Sequence, residues 1–257
     1  ASMGIGKALT YECASRNINL LLVALPGKEL DYLVATLEKY PSIEVHAFPV
    51  DLTLEDAPQK IYDWIVDNNF PIQILINNAG IGGNGMFEFG DPEFYKTMFR
   101  LNVMATTMLT YRMVPLLKQQ KEAYILNLSS IEAYLPLPYK AVYTGTKNYI
   151  FSFSLALREE LKHYNMSVNV LCPGPTITNR GGLKRIKAHG KKSKIMVLLP
   201  RQVARIAIRE MYQNKGIIIP GTVNRIMARL ANMLPILTKL RILEKMFRVY
   251  RTESPQH

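Results

Sequence analysis

Three side chains near the middle of the sequence have the types and spacing of a proton-delivery site. Ser130 ends the apolar run YILNLSS, Tyr143 follows thirteen residues later, and Lys147 lies four beyond that. Residues four apart share one face of a helix, which sets the phenol beside the ammonium. A tyrosine hydroxyl ionises near pH ~10, too high for proton transfer at neutrality. An adjacent cation favours the phenolate and brings that value down. A serine at the strand's end can hydrogen-bond a substrate oxygen, so the trio suits protonation of a carbonyl that receives hydride from a cofactor. Tyr143 and Lys147 alone would read as an ordinary surface pair; the strand-end serine at this spacing and the glycine turn upstream shift the reading to chemistry.

Other segments look suited to hold a dinucleotide. Gly4 and Gly6, within ASMGIG, open the helical stretch KALTYECASRN. Glycines there let the backbone approach a pyrophosphate, and the helix start supplies free N–H groups with partial positive charge. Asp51, in FPVDLT, is placed to meet an adenine amino group. The small and amide residues Asn77, Asn78, Ala79 and Gly80 follow the run QILI, where ligands bind in open α/β sheets. After the run ending at Leu25, the turn Pro26-Gly27-Lys28 lacks the acid that would hold the ribose of NAD. Lys28 can instead meet a 2′-phosphate, which favours NADP over NAD; a solvated turn lysine is the alternative.

These groups need elements to position them. Residues 18–25, 73–76, 123–128 and 167–172 are short apolar runs separated by helical periodicity. Continuous apolar strands alternating with helices predict a parallel sheet covered on both faces. The glycine turn has no strand ahead of it, although a phosphate-binding strand–turn–helix unit requires one in the middle of the sheet. The expected fold is thus α/β, a doubly wound Rossmann-type sheet in three layers lacking its first strand.

Order and spacing together resemble the short-chain dehydrogenase/reductases over nearly the whole length. The likeness rests on ASMGIG, the end of a TGxxxGxG turn whose Thr-Gly is absent, and on NNAG at 77–80. The asparagine of LNV, the serine of NLSS, the YxxxK of Tyr143–Lys147 and CPGPTIT at 172–178 complete it. The resemblance implies a catalytic set of Asn102, Ser130, Tyr143 and Lys147. Asn102 would hold a backbone kink and a water linking Lys147 to solvent, and Ser130 would position the substrate oxygen. Tyr143 would act as acid in reduction and base in oxidation, while Lys147 would also bind the nicotinamide ribose. Ser2, Gly4, Ile5, Gly6, Asp51, Leu52, Asn78, Ala79 and Gly80 would line the cofactor cleft. Pro173, Gly174, Thr176 and Thr178 would pack against the nicotinamide. Pairing through helices spanning about 91–119 and 143–163 would give a homo-dimer or homo-tetramer.

Composition narrows the class. With 48% hydrophobic residues in 257, the chain can build a full core. Cys13 and Cys172 lie far apart with no partners at metal-ligand spacing, which supports no metal site and a reducing compartment. No apolar run approaches the roughly 18–20 residues of a membrane span, and no signal peptide is visible, so a cytoplasmic location is expected. Net charge is +12, but residues 176–257 carry 18 Lys/Arg against three acids, leaving residues 1–175 at −3. Such asymmetry suggests an anionic partner.

Seven of those basic residues fall in 180–194, within the expected substrate loop at about 176–200, beside the apolar run 195–199. A basic lid over an apolar pocket suits an anionic acyl thioester with a 3-oxo group; a solvated loop is the plain alternative. From Arg225 onward the sequence reads as a basic amphipathic helix broken at Pro235, with Arg241, Lys245 and Arg248 on one face and Leu240, Leu243 and Phe247 on another. Such helices lie on anionic membranes or pack on protein, so peripheral membrane contact stays open. The layout, a catalytic region of 1–222 and a helical extension of 223–257, resembles the 3-oxoacyl-CoA reductase and steroid dehydrogenase branch. Nucleic-acid binding ranks low, for no recognition motif or interleaved aromatics accompany the basic residues. Two further readings stay open: a dinucleotide-binding sensor or membrane-associated interaction protein without turnover, and a dehydrogenase of a sugar or small alcohol.

Overall fold

In the computed structural model, which describes residues 1–177, 197–233 and 235–251, the apolar runs become parallel strands. Chain order is α1 (Gly4–Ala14), β1 (Leu20–Ala24), α2 (Lys28–Leu37), β2 (Val45–Pro49), α3 (Ala57–Asp67) and β3 (Ile74–Asn77). Then come α4 (Pro92–Phe99), α5 (Thr106–Leu117), β4 (Ala123–Leu128), α6 (Ala141–Leu161) and β5 (Met166–Leu171). The last third contributes α7 (Pro200–Tyr212), the two-residue β6 (Ile217–Ile218), α8 (Thr222–Met233) and α9 (Ile236–Phe247). The short β6 was not among the expected strands.

Strand alternation explains the layers. On β1, Leu20, Leu22 and Ala24 face a core shared with Leu9, Leu33, Leu37, Ala204 and Ile208. Leu21 and Val23 face the other way, onto a core with Ile61, Ile65, Met113 and Leu117. On β4, Tyr124 and Leu126 join the first core, and Ala123 and Ile125 the second. A strand buried on both faces has no reason to alternate polar and apolar residues, which is why these read as continuous runs. Helix α2 reaches the first core through Leu30, Leu33 and Leu37, a stripe with helical spacing.

The sheet is divided. β1 pairs with β2, and β3, β4, β5 and β6 pair in that order, all parallel. No ladder joins β1 to β3 among the described residues. Between them lies a cavity of about 560 Å³ bordered by Leu20, Leu22, Ile74, Ile76 and Asn77. This is the position at which the sequence calls for a strand before the glycine turn.

Helix α4 runs into α5 through a wider π turn, Arg100–Ala105, which carries Asn102 inward. The extension expected from Arg225 is two helices, α8 and α9, with Pro235 at the start of the second. Leu243 is buried and Leu240 and Phe247 half-buried, so α9 packs its apolar face on the protein. Tyr139 Oη donates to Glu244 at 3.2 Å, and Lys140 Nζ lies 5.6 Å from the Phe247 ring centroid.

Candidate active site

Helix α6 positions the proposed acid and its lysine. Tyr139, at φ 66°, turns the chain into its start, and Thr144 N–H bonds to Lys140 C=O at 2.9 Å. Tyr143 stands in the first turn and Lys147 one turn on, with its Nζ 6.0 Å from the Tyr143 ring centroid. Lys147 is only 4% exposed. Burial brings its ammonium down to about 8, because desolvation penalises the charged form. Nζ donates to Leu128 C=O at 3.0 Å, and Ser129 Oγ donates to the Lys147 carbonyl at 2.7 Å. The end of β4 and the second turn of α6 are thereby bound to each other from both directions.

Ser130 is extended (φ −155°, ψ 155°) and caps the short 3-10 turn Ile131–Tyr134, its Oγ accepting from Glu132 N–H at 3.1 Å. That bond uses a lone pair and leaves the hydroxyl hydrogen to donate elsewhere. Asn102 is fully engaged: its Oδ1 accepts from Ile81 N–H at 2.9 Å, and its Nδ2 donates to Ile81 C=O at 2.9 Å and Thr146 Oγ1 at 3.0 Å. The kink assigned to it by resemblance corresponds to the π turn, a distortion frequent at functional sites.

Gly80 shows how close these groups stand. A Cβ there would lie 3.0 Å from Asn102 Oδ1 and 3.1 Å from Lys147 Nζ. Two residues on, a Cβ at Gly82 would meet the Tyr143 ring at 2.9 Å. Gly82 was missed in the sequence, where only the run GIGG following NNAG hints at close packing. Beside Tyr143 lies a small cavity of about 50 Å³ bordered by Asn84, Phe87, Phe94, Met98 and Tyr139.

The glycine turn meets the NNAG segment. Gly4 has φ 55°, and a Cβ on Gly6 would fall 2.5 Å from Asn78 Nδ2. Helix α1 starts at Met3 without a side-chain cap or an acid in its first turn. The buried Asn78 Oδ1 meets no donor among the described residues. An uncapped helix start, glycines that leave room and an orphaned acceptor suit an anionic ligand bearing hydroxyl or amide donors, so these residues fit a dinucleotide.

The remaining expected residues are placed as follows. Ser2 and Ile5 are half-buried beside the turn, Ile5 packing on the first core. Asp51 follows β2, but its Oδ1 already accepts from Thr53 N–H and Thr53 Oγ1, both at 2.8 Å, as a local turn. Leu52 packs on the second core, and Ala79 is half-buried between Asn78 and Gly80. Pro173 is buried and its carbonyl accepts from Ile131 N–H at 3.0 Å. Gly174 has a reason of its own: a Cβ would come within 2.6 Å of Asn224 Nδ2, so the glycine makes room for a side chain of α8. Asn224 gave no signal in the sequence. Thr176 Oγ1 donates to Gly174 C=O at 3.0 Å. Thr178, the basic segment 180–194 and residues 195–196 lie outside the described residues. Lys28 is exposed at the start of α2, with Glu29 beside it.

Comparison with known proteins gives the family. The family model described as short chain dehydrogenase matches residues 1–187. The very-long-chain 3-oxoacyl-CoA reductase of Neurospora crassa is 27% identical over 227 residues, covering 86% of this chain and 66% of that protein. A very-long-chain 3-oxoacyl-CoA reductase of Caenorhabditis elegans is 31% identical over 195 residues, covering 72% of this chain and 60% of that protein. The chain therefore spans about two thirds or less of the length of these relatives. Among solved structures, a short-chain dehydrogenase from Sphingobium yanoikuyae in complex with NADPH gives a TM-score of 0.77 at 26% identity, covering 94% of each chain.

Proposed function

The chain belongs to the short-chain dehydrogenases, and on that footing we propose that it interconverts a carbonyl and an alcohol with a nicotinamide dinucleotide. The observation that carries this reading is the juxtaposition of Lys147 and Asn102 at Gly80 with Tyr143 at Gly82, two residues on. When bound, the dinucleotide supplies or accepts the hydride. Ser130 donates a hydrogen bond to the substrate oxygen and holds it toward Tyr143. Tyr143 gives its phenolic proton to that oxygen in reduction and takes it back in oxidation. Lys147 stabilises the phenolate that results, and its burial makes that electrostatic effect stronger than it would be in water. Asn102 keeps the Ile81 backbone and Thr146 in register with Lys147.

The start of α1, Asn78, Gly80 and residues 173–176 would hold the cofactor. Lys28, exposed at the start of α2 after a turn that lacks an acid, supports NADP over NAD. A hydrophobic 3-oxoacyl substrate is supported by the names of the two relatives and by Phe87, Phe94 and Met98 beside Tyr143. We take residues 1–222 as the catalytic unit and 223–257 as its extension. Exposed Phe99, Met104, Tyr111 and Tyr149, on the stretch from α4 to α5 and on α6, support pairing of two copies there.

The test is loss of reduced-nicotinamide absorbance with a 3-oxoacyl thioester, in parent and Tyr143→Phe. Removing a positioned acid should lower turnover by about 10²–10⁴-fold. A variant with parental turnover would overturn the assignment of Tyr143.

A further inference from the structure

We propose that the outer face of α8, continued across Pro235 into the start of α9, docks on an anionic lipid surface. The two helices divide their roles. Helix α9 turns Leu243 inward, whereas among the described side chains of α8 only Asn224 and Ala228 turn inward. Its other side presents Ile226, Met227, Leu230 and Met233 to solvent, with Leu230 54% and Met233 79% exposed. Spacings of one, three and four residues gather these side chains in one stripe. The chain then adds Ile236 and Leu237, the latter 67% exposed. Scattered exposed apolar residues are ordinary, but a contiguous stripe of large ones marks a contact surface.

Charge selects the occupant. Arg225 and Arg229 are exposed and, one turn apart, run along the edge of the stripe. Between residues 222 and 251 there are seven Lys/Arg and a single acid, Glu244. That carboxylate is taken up by Arg248 at 2.6 and 2.9 Å and by Tyr139. A second copy of the chain laid on this face would oppose arginines to arginines with no acid to relieve them. Lipid phosphates would satisfy the arginines while acyl chains cover the stripe, the arrangement of helices that lie in the membrane interface. The stripe begins two residues after Asn224, whose own side of α8 packs on Gly174, so one helix carries both the docking face and a contact with the candidate site.

The test is cosedimentation of the whole chain with vesicles of phosphatidylcholine alone or mixed with phosphatidylserine. The expected result is capture by the mixed vesicles, weakened by salt and lost in Ile226→Asp/Leu230→Asp. Arg225→Glu/Arg229→Glu should weaken capture by roughly tenfold or more. Should the aspartate variant misfold, Met227→Cys carrying an environment-sensitive fluorophore gives an independent reading: its emission should shift to the blue on anionic vesicles. Equal capture of parent and both double variants would overturn the proposal. So would no capture and no fluorescence shift, and so would a concentration-dependent dimer abolished by the aspartate substitutions in a chain that ignores vesicles.

Discussion

Lys147 Nζ is bonded to the carbonyl oxygen of Leu128 at 3.0 Å, so a buried cation is held by a neutral backbone dipole at the end of β4. This costs stability whenever the lysine is charged, since its ammonium is brought down to about 8 by burial. Below about pH 8 both folded and unfolded chains carry the proton, and the penalty is constant. Between about 8 and the unfolded value the unfolded chain binds more protons, so stability rises with pH. The slope from this one group approaches about 1.4 kcal/mol per pH unit. Denaturant unfolding between pH 8 and 10 should show that rise in the parent and not in Lys147→Met. Identical slopes would mean that the lysine is not desolvated.

The two glycines Gly6 and Gly145 should respond in opposite directions to alanine. Both lie in helices, where alanine gains up to about 1 kcal/mol over glycine. At Gly145 a Cβ meets nothing within 4 Å, so Gly145→Ala should raise the unfolding midpoint. At Gly6 it would meet Asn78 Nδ2 at 2.5 Å, and overpacking of this kind costs about 1–3 kcal/mol. Gly6→Ala should therefore lower the midpoint and weaken dinucleotide binding by calorimetry. Shifts of the same sign in both variants would contradict the close approach of Gly6 and Asn78.

A chain of buried amides crosses the sheet beneath the site. Asn77 Nδ2 donates to Asn127 Oδ1 at 2.8 Å and to Thr110 Oγ1 at 3.0 Å, and Asn127 Nδ2 donates to Ser154 Oγ at 2.9 Å. Removing Asn127 strands polar atoms on both neighbours, at a cost of about 2–3 kcal/mol. Asn77→Ala and Asn127→Ala should be strongly non-additive in a double-mutant cycle. Simple additivity would show that the two amides are not coupled.

Both thiols should be inert in the folded chain. Cys13 and Cys172 are buried, and burial pushes each up to about 12. Since the thiolate is the reactive form, an aromatic disulfide reagent at neutral pH should titrate two thiols in denaturant and none natively on the same timescale. Rapid native reaction of either would place it in a more open setting.

Much of the framework was legible in the sequence because backbone pattern is local. The runs around Leu22, Ile76, Ile125 and Val168 announced buried strands, and the spacing of Ser130, Tyr143 and Lys147 pointed to the candidate site. What escaped depends on side chains meeting across long separations. Nothing local marks Asn77 as the partner of Asn127, Gly174 as the seat of Asn224, or Gly82 as the neighbour of Tyr143. The π turn at Asn102 was reached only through resemblance, because its residues have the same periodicity as the helices it joins. The amphipathic stretch from Arg225 was visible, but not that α9 would turn its apolar face inward while α8 turned one outward. That Asp51, expected to meet adenine, also bonds Thr53 through one oxygen was equally not legible.

The double tie between β4 and α6 has a consequence for how the site moves. Lys147 Nζ is held by the Leu128 carbonyl while the Lys147 carbonyl is held by Ser129 Oγ, so the strand end and the helix cannot slide past each other without breaking both bonds. Local opening here should therefore be rare, and amide exchange in Ala123–Leu128 and around Lys147 should be among the slowest in the chain.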